Sequence, residues 1–383
     1  MLKMKKNDYV RKLNAYNASL FKNKGPILSR LDIELTERCN NNCVHCCINL
    51  PAEDMKAKKE EMSSAEIKGI LKEAASLGCL TVRLTGGEPL LREDFEEIYL
   101  FARKLGLKVL IFTNACLITP HLAELFSRIP PLEEIEISLY GMKKSSYEAV
   151  SRSPGSFESA FRGVNLLFEK KVPFGVKGVL LPPNRREIDE FEMRSNAIPW
   201  MKELSPYTIF LDLHCRRDGN KNELIKKLRV APEEGLKIMV QAYKDYTKGM
   251  KKLCSKVMKP AGNKLFPCGA GKGSGCIDAY GNFQPCLLLK HPDTSYNLSK
   301  GSLKEALTVF FPKVRKMKAA NPRYLSRCAH CFLRTLCEQC PAKSWAEWGT
   351  LDTPVEYFCK IAHAQAKYLG LLQEDEQGWE VAD

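Results

Sequence analysis

Hydrophobic positions alternate between two rhythms along roughly the first 215 residues. Residues 31–35 (LDIEL) are apolar at every second position, the two-residue period of a strand. Residues 62–77 are apolar at helical spacing and open with Ser63 and Ser64, both good N-caps. Residues 81–85 read as a strand that runs into Gly86-Gly87, and 94–105 as a helix closed by Gly106. Strands follow at 108–112, 134–139, 175–181 and 209–214, with helices at 121–128 and 157–170 between them. Repeated strand–helix alternation predicts an α/β layer of parallel strands, in barrel or open form.

The rhythm changes near residue 215. Residues 222–228 and 232–246 read as helices, and from about 260 the chain turns to short strands, cysteines and one longer helix over 303–318. The last ten residues are acidic and are expected to fray. These shifts divide the chain into a basic segment at 1–30, an α/β unit at 31–230, a helical bridge at 231–260 and a cysteine-rich unit at 261–383. No internal repeat or low-complexity tract stands out.

Composition narrows the class. With 383 residues, 44% of them hydrophobic, the chain can bury a core of two or three domains. It is too long for a small disulfide-stapled scaffold. No stretch of 18 apolar residues suggests a membrane span. The opening MLKMKKNDYVRKLNAYNASLF is basic but lacks the apolar stretch of a secretory signal, so a cytoplasmic location is expected. Sixteen cysteines in such a chain point to metal binding or catalysis rather than to disulfides. They are bunched: four lie in the first 47 residues and five between 328 and 359.

The first bunch is Cys39-Asn-Asn-Asn-Cys43-Val-His-Cys46, directly after a strand. Three thiolates within eight residues can wrap one face of a four-iron cube and leave one iron open to a ligand. A zinc knuckle short of one ligand is the plain alternative. The next strand ends in Thr85-Gly86-Gly87-Glu88-Pro89. Two glycines let the backbone approach a ligand closely, and Glu88 adds a carboxylate.

Together these motifs resemble the radical S-adenosylmethionine (SAM) superfamily. The resemblance runs from residue 31 to about 215 and implies a partial (β/α)6 barrel. It implies that Cys39, Cys43 and Cys46 hold a 4Fe–4S cluster, with His45 at the usual aromatic position. It also implies that Gly86, Gly87, Glu88 and Pro89 receive the amino group of SAM. Asn114 and Ser138, at the next two strand ends, would contact its carboxylate and ribose; capping of the following helices is the structural alternative for both. Gly178 would pack near the adenine. Ala115 stands where a glycine is more usual after Thr-Asn. The implied chemistry is reductive cleavage of SAM to a 5′-deoxyadenosyl radical that takes hydrogen from an unactivated C–H bond.

The second bunch comprises Cys268, Cys286, Cys328, Cys331, Cys337, Cys340 and Cys359, with IDAYGNFQPC around Cys286. It resembles the SPASM extension of radical SAM enzymes, whose seven cysteines hold two auxiliary 4Fe–4S clusters. Two residues separate Cys337 from Cys340, where three are typical. The resemblance implies Cys268, Cys286 and Cys340 on one cluster and Cys328, Cys331, Cys337 and Cys359 on the other. Full cysteine ligation needs an eighth thiol, for which Cys276 and Cys254 are candidates, or else one iron stays open. A zinc site built from the two CxxC pairs is the alternative. Cys47, Cys79, Cys116 and Cys215 read as buried packing thiols.

Enzymes with this extension mostly modify ribosomal peptides or proteins, so the expected function is peptide maturation by crosslinking or oxidation. The formal net charge of +14, half of it in the first 30 residues, suits an acidic leader peptide. Further basic runs lie at Lys226-Lys227-Leu-Arg229 and Lys313-Val-Arg315-Lys316-Met-Lys318. A reductant of the flavodoxin or ferredoxin kind is implied as a second partner. The basic runs lack interleaved aromatics, which sets nucleic acid aside. Sulfatase maturation, small-molecule cofactor biosynthesis and RNA modification stay open as alternatives, as does a metal-binding interaction protein with no activity. Asp212, His214 and Tyr140, near strand ends, are candidates for acid–base roles.

Overall fold

The computed structural model describes residues 27–201, 206–213, 219–243 and 245–381. The basic residues 1–26 and His214 and Cys215 lie outside the described residues. Six strands form in chain order: β1 (Arg30–Thr36), β2 (Thr81–Gly86), β3 (Lys108–Thr113), β4 (Leu132–Ser138), β5 (Phe174–Val179) and β6 (Tyr207–Thr208). They lie side by side in that order and all are parallel. This is the α/β fold of a partial barrel.

Three strands from the cysteine-rich region continue the same sheet beyond β1. They are β7 (Ser274–Ile277), β8 (Asn282–Gln284) and β9 (Tyr296–Asn297). Strand β7 runs parallel to β1, with Asp32 opposite Cys276, and β8 and β9 follow as antiparallel neighbours. A change of composition near 260 is therefore not a break in the sheet.

Alternation gives each strand two faces. Leu31, Ile33 and Leu35 of β1 and Val82 and Leu84 of β2 are buried in one cluster with Ile67, Leu71, Ile98 and Tyr99 from the covering helices. The opposite face is charged. Arg83 on β2 meets Asp32 on β1 at 3.2 Å, Lys177 meets Glu136 at 2.7 Å, and Lys290 meets the buried Glu34 at 2.5 Å. Helix Ser64–Ser76 starts from a full capping box. The Ser63 hydroxyl accepts from the Glu66 amide, and the Glu66 carboxylate accepts from the Ser63 amide at 2.8 Å.

The structure departs from the sequence reading at four places. No strand spans 209–214: β6 ends at Thr208, and Leu211 and Leu213 instead pack with Leu181, Ile225 and Ala346. The helix expected over 232–246 stops at Ala242, and a second helix, Tyr246–Val257, begins after Asp245, whose φ is 67°. The helix expected over 303–318 ends at Val314 and contains a π-turn at Ala306–Phe310, because Pro312 has no N–H to donate. The acidic tail does not fray through residue 381. Gly378 donates to His363 at 3.0 Å, and Trp379 stacks 4.1 Å from the Arg327 guanidinium. Among the described residues no helix is long and apolar enough to cross a membrane.

Candidate active site

The first cysteine loop leaves the C-terminal end of β1 and is pinned at both ends. Arg38–Cys39 pairs with Leu50–Pro51. The buried Arg38 guanidinium binds Glu61 at 2.8 and 3.0 Å and the Ala52 carbonyl at 2.9 Å. Amides of Asn42 and Val44 donate to Ser151 and Val150, each at 2.9 Å. The loop is thereby presented with Cys39, Cys43 and Cys46 as neighbours. Burial pushes the Cys39 thiol up to about 12, and the adjacent Glu88 and Cys46 add repulsion. Cys43 is raised further, first by burial and then by Cys46 and Cys39. One buried and two half-buried sulfurs that repel one another fit a cationic iron group, which would offset the cost of ionising them.

Gly86-Gly87-Glu88 crosses directly over the start of this loop. Gly87 donates to the Thr36 carbonyl at 2.7 Å and Glu88 to the Arg38 carbonyl at 2.9 Å. A Cβ on Gly87 would lie 2.2 Å from the Arg38 oxygen, so only glycine allows the approach. Pro89 opens the short 3-10 turn Pro89–Leu91. The fully buried Glu88 carboxylate accepts from the Thr113 hydroxyl and the Asn114 amide, each at 2.8 Å, and from the Leu90 amide at 3.1 Å. Burial pushes its carboxyl up to about 7 despite these donors.

Asn114 turns its side chain onto the cysteine loop. Its Nδ2 donates to Asn40 Oδ1 at 2.9 Å and lies 3.8 Å from Cys39 Sγ. Ala115 adopts a φ of 62°, the left-handed conformation in which glycine is at ease. Ser138 ends β4 beside Lys177 of β5. Gly178 has a packing reason: a Cβ there would meet the Phe191 ring at 2.5 Å and the Leu139 carbonyl at 2.7 Å.

The acid–base candidates are differently placed. Tyr140 is half-buried against the cysteine loop, with its ring 5.4 Å from His45 and Cys43 within hydrogen-bonding reach. Burial raises its hydroxyl well above the ordinary range. Asp212 pairs at 3.0 Å with the buried Lys343, which also binds Glu338 at 2.5 Å. Asp212 therefore sits at a junction of α/β unit and cysteine-rich region, beside Cys340.

The C-terminal thiols fall into two neighbourhoods. Burial pushes Cys286 up to about 11, and Cys340 and Cys268 lie near enough to add repulsion. Burial pushes Cys337 up to about 12, with Cys359, Cys328 and Cys331 adding to it. Among the described residues no three His, Cys, Asp or Glu side chains close on a point suited to a single metal ion. Six cysteines instead line one cavity of about 250 Å³: Cys268, Cys328, Cys331, Cys337, Cys340 and Cys359. Arg315 fixes one wall through the carbonyls of Cys268 and Ala270, at 2.7 and 2.6 Å. Arg327 fixes another, 3.4 Å from Cys359 Sγ. Cys340 stands at the N-cap of helix Pro341–Trp348; burial raises its thiol, and the amides of Lys343 and Ala342 partly oppose that rise.

Cys276 is a correction. It is fully buried in β7, and the charges around it are Glu34, Lys290, Asp32 and Asp278 rather than thiols. Pairing of β7 with β1 draws it into the sheet, away from the cavity. Cys254 shares an apolar cluster with Leu333 and Leu336, against which Cys331 and Cys337 pack. Lys343 and Arg327 were missed from the sequence. Proximity to Cys340 and Cys328 was the only available signal.

The fold and this edge of the sheet define the class. The profile described as Radical SAM superfamily matches residues 33–193. A SAM-binding 4Fe–4S cluster and SAM are the cofactors that this match supports. The chain is 27% identical over 349 residues to the AdoMet-dependent heme synthase of Methanosarcina barkeri, covering 82% of this chain and 92% of that protein. It is 27% identical over 293 residues to GTP 3′,8-cyclase of Clostridium botulinum, covering 72% and 85%. Among solved structures it is similar to anSMEcpe with bound AdoMet, at a TM-score of 0.61 and 14% identity over 91% of this chain and 96% of that one. Streptococcus suis SuiB bound to S-adenosylmethionine matches at a TM-score of 0.56 and 16% identity, covering 82% and 73%. These likenesses show the fold: a partial barrel followed by a SPASM-like cysteine-rich region.

Proposed function

We propose that the chain is a radical SAM oxidoreductase that matures a peptide or protein. The observation that carries the radical reading is the convergence of Cys39, Cys43, Cys46, Glu88 and Asn114 at the C-terminal ends of β1, β2 and β3. When bound, the cluster and SAM supply the electron and the 5′-deoxyadenosyl radical that abstracts hydrogen. Cys39, Cys43 and Cys46 would hold the cluster. Glu88 uses three acceptor positions on its own chain, and a carboxylate has about four. The remaining one suits the ammonium of SAM. Auxiliary clusters would be held by Cys268, Cys286 and Cys340, and by Cys328, Cys331, Cys337 and Cys359.

The net charge of +14 and the exposed Lys313, Lys316 and Lys318 support an acidic polypeptide as substrate. Within the run Lys226–Arg229, Arg229 does not contribute, because its side chain is buried in a 2.6 Å pair with Glu347. A second reading, a small-molecule step in cofactor biosynthesis, is favoured by the names of the heme synthase and the GTP cyclase. Sulfatase maturation has less support, because Cys286 is followed by Leu287-Leu288-Leu289 rather than an acid.

The test is an anaerobic assay for 5′-deoxyadenosine with dithionite. Wild type should cleave SAM, and the Cys39→Ala/Cys43→Ala/Cys46→Ala variant should not; persistent cleavage overturns the assignment. Stimulation by short acidic peptides supports maturation. Stimulation by GTP or a carboxylated iron tetrapyrrole alone supports the second reading.

A further inference from the structure

Helix Tyr246–Val257 is sharply two-sided. At about 100° per residue, Lys248, Lys251, Lys252 and Lys256 share one side and Met250 and Cys254 the other. These four lysines, and Lys259 just beyond the helix, are exposed. None is held in an ion pair among the described residues. Four exposed lysines on the α/β unit, Lys58, Lys143, Lys144 and Lys170, each meet a glutamate within 2.7–2.9 Å, whereas the helix carries four without such a partner.

The buried side of this helix faces the cysteine cavity. Cys254 packs among Leu333, Leu336 and Ala362, and Met250, Cys331 and Cys337 contact the same apolar cluster. Thr247 and Tyr246 anchor the helix start on Tyr368, by a 3.3 Å hydrogen bond and a ring contact of 6.2 Å. One layer of side chains thus separates five unneutralised positive charges from thiols of the second neighbourhood.

We propose that this lysine face is the docking surface for an acidic one-electron carrier protein. The proposal rests on the reading that Cys328, Cys331, Cys337 and Cys359 hold a cluster. A positive field, offset on this helix only by Asp245 at its start among the described residues, steers an acidic partner and fixes its orientation on contact. The exchange moves one electron and no atoms: the reduced carrier is oxidised by one electron and the cluster behind the helix is reduced by one. An acidic leader peptide would use the same charge but has no need of the thiols behind it.

The experiment uses the reconstituted full chain and an acidic flavodoxin as probe. The variant carries Lys248→Glu, Lys251→Glu, Lys252→Glu and Lys256→Glu. Flavodoxin affinity and the rate of hydroquinone oxidation should each fall by roughly tenfold or more. Affinity of the wild type should also fall as salt rises. Reduction by dithionite, a small molecule that needs no docking, should stay unchanged, as should iron content. Equal affinity and rate in both proteins would overturn the proposal. A matching loss of dithionite reduction would also overturn it, because the lysines would then be structural. Iron near four per chain would refute the cluster reading, whereas salt-dependent flavodoxin binding is measured without it. Binding that persists without electron transfer refutes the carrier and leaves a charge-recognition surface.

Discussion

Cys39, Cys43 and Cys46 come from one eight-residue loop, whereas the thiols of the C-terminal cavity come from segments between Cys268 and Cys359. The loop is held by its own scaffold: a two-residue ladder, two tethering amides and the buried Arg38–Glu61 pair. The cavity walls are held by short turns, by Arg315 and Arg327, and by the returning tail. A group bound in the first place completes a finished site. A group bound in the second closes long loops, so its binding free energy becomes folding free energy.

Iron removal should split the two regions most strongly. Hydrogen exchange on chelated protein should show near-complete loss of protection over residues 324–340, with β1–β4 unchanged. Equal loss in both would erase the contrast.

Next in size is the scaffold of the loop. Arg38→Ala leaves Glu61 buried with the weaker pairing of Arg92 at 3.6 Å, and should cost about 3–5 kcal/mol in denaturant melts. Arg323→Ala, at the half-exposed pair with Glu356, should cost under about 1 kcal/mol.

Acidity should act on Glu88 in the SAM-free protein. Its carboxyl is raised from 4.5 to about 7, so the folded state binds a proton that the unfolded state releases between those values. Stability should therefore fall as pH rises through that window, by roughly 3 kcal/mol at most, and Glu88→Gln should flatten the dependence. Gly87→Ala, which drives a methyl against the Arg38 carbonyl, should cost about 1–3 kcal/mol and impair SAM binding while auxiliary iron is retained. Ser63→Ala should cost about 1 kcal/mol, read from the thermal midpoint.

Local chemistry made part of this legible. Helix Ser64–Ser76 announces itself through its serine cap at Ser63, and β2 through the glycines it enters. The cysteine loop is visible because its donors are adjacent in sequence. What was misread depends on distant partners. Cys276 looked like a spare ligand until β7 paired with β1. Residues 209–214 look like a strand, but Leu211 and Leu213 find a helix instead of a neighbouring ladder. The tail looked unanchored because His363 and Arg327, which hold it, are far away in the chain. Asn114 marks a further case: its strand-end position is local, while its bond to Asn40 needs the cysteine loop folded across it.

The contrast between a local loop and a dispersed cavity is tested most directly by counting iron and sulfide in anaerobically reconstituted protein. Three cubes predict about twelve irons per chain in wild type, and about eight once Cys39, Cys43 and Cys46 are replaced by alanine. About four irons in wild type, falling to none in that variant, would contradict the account.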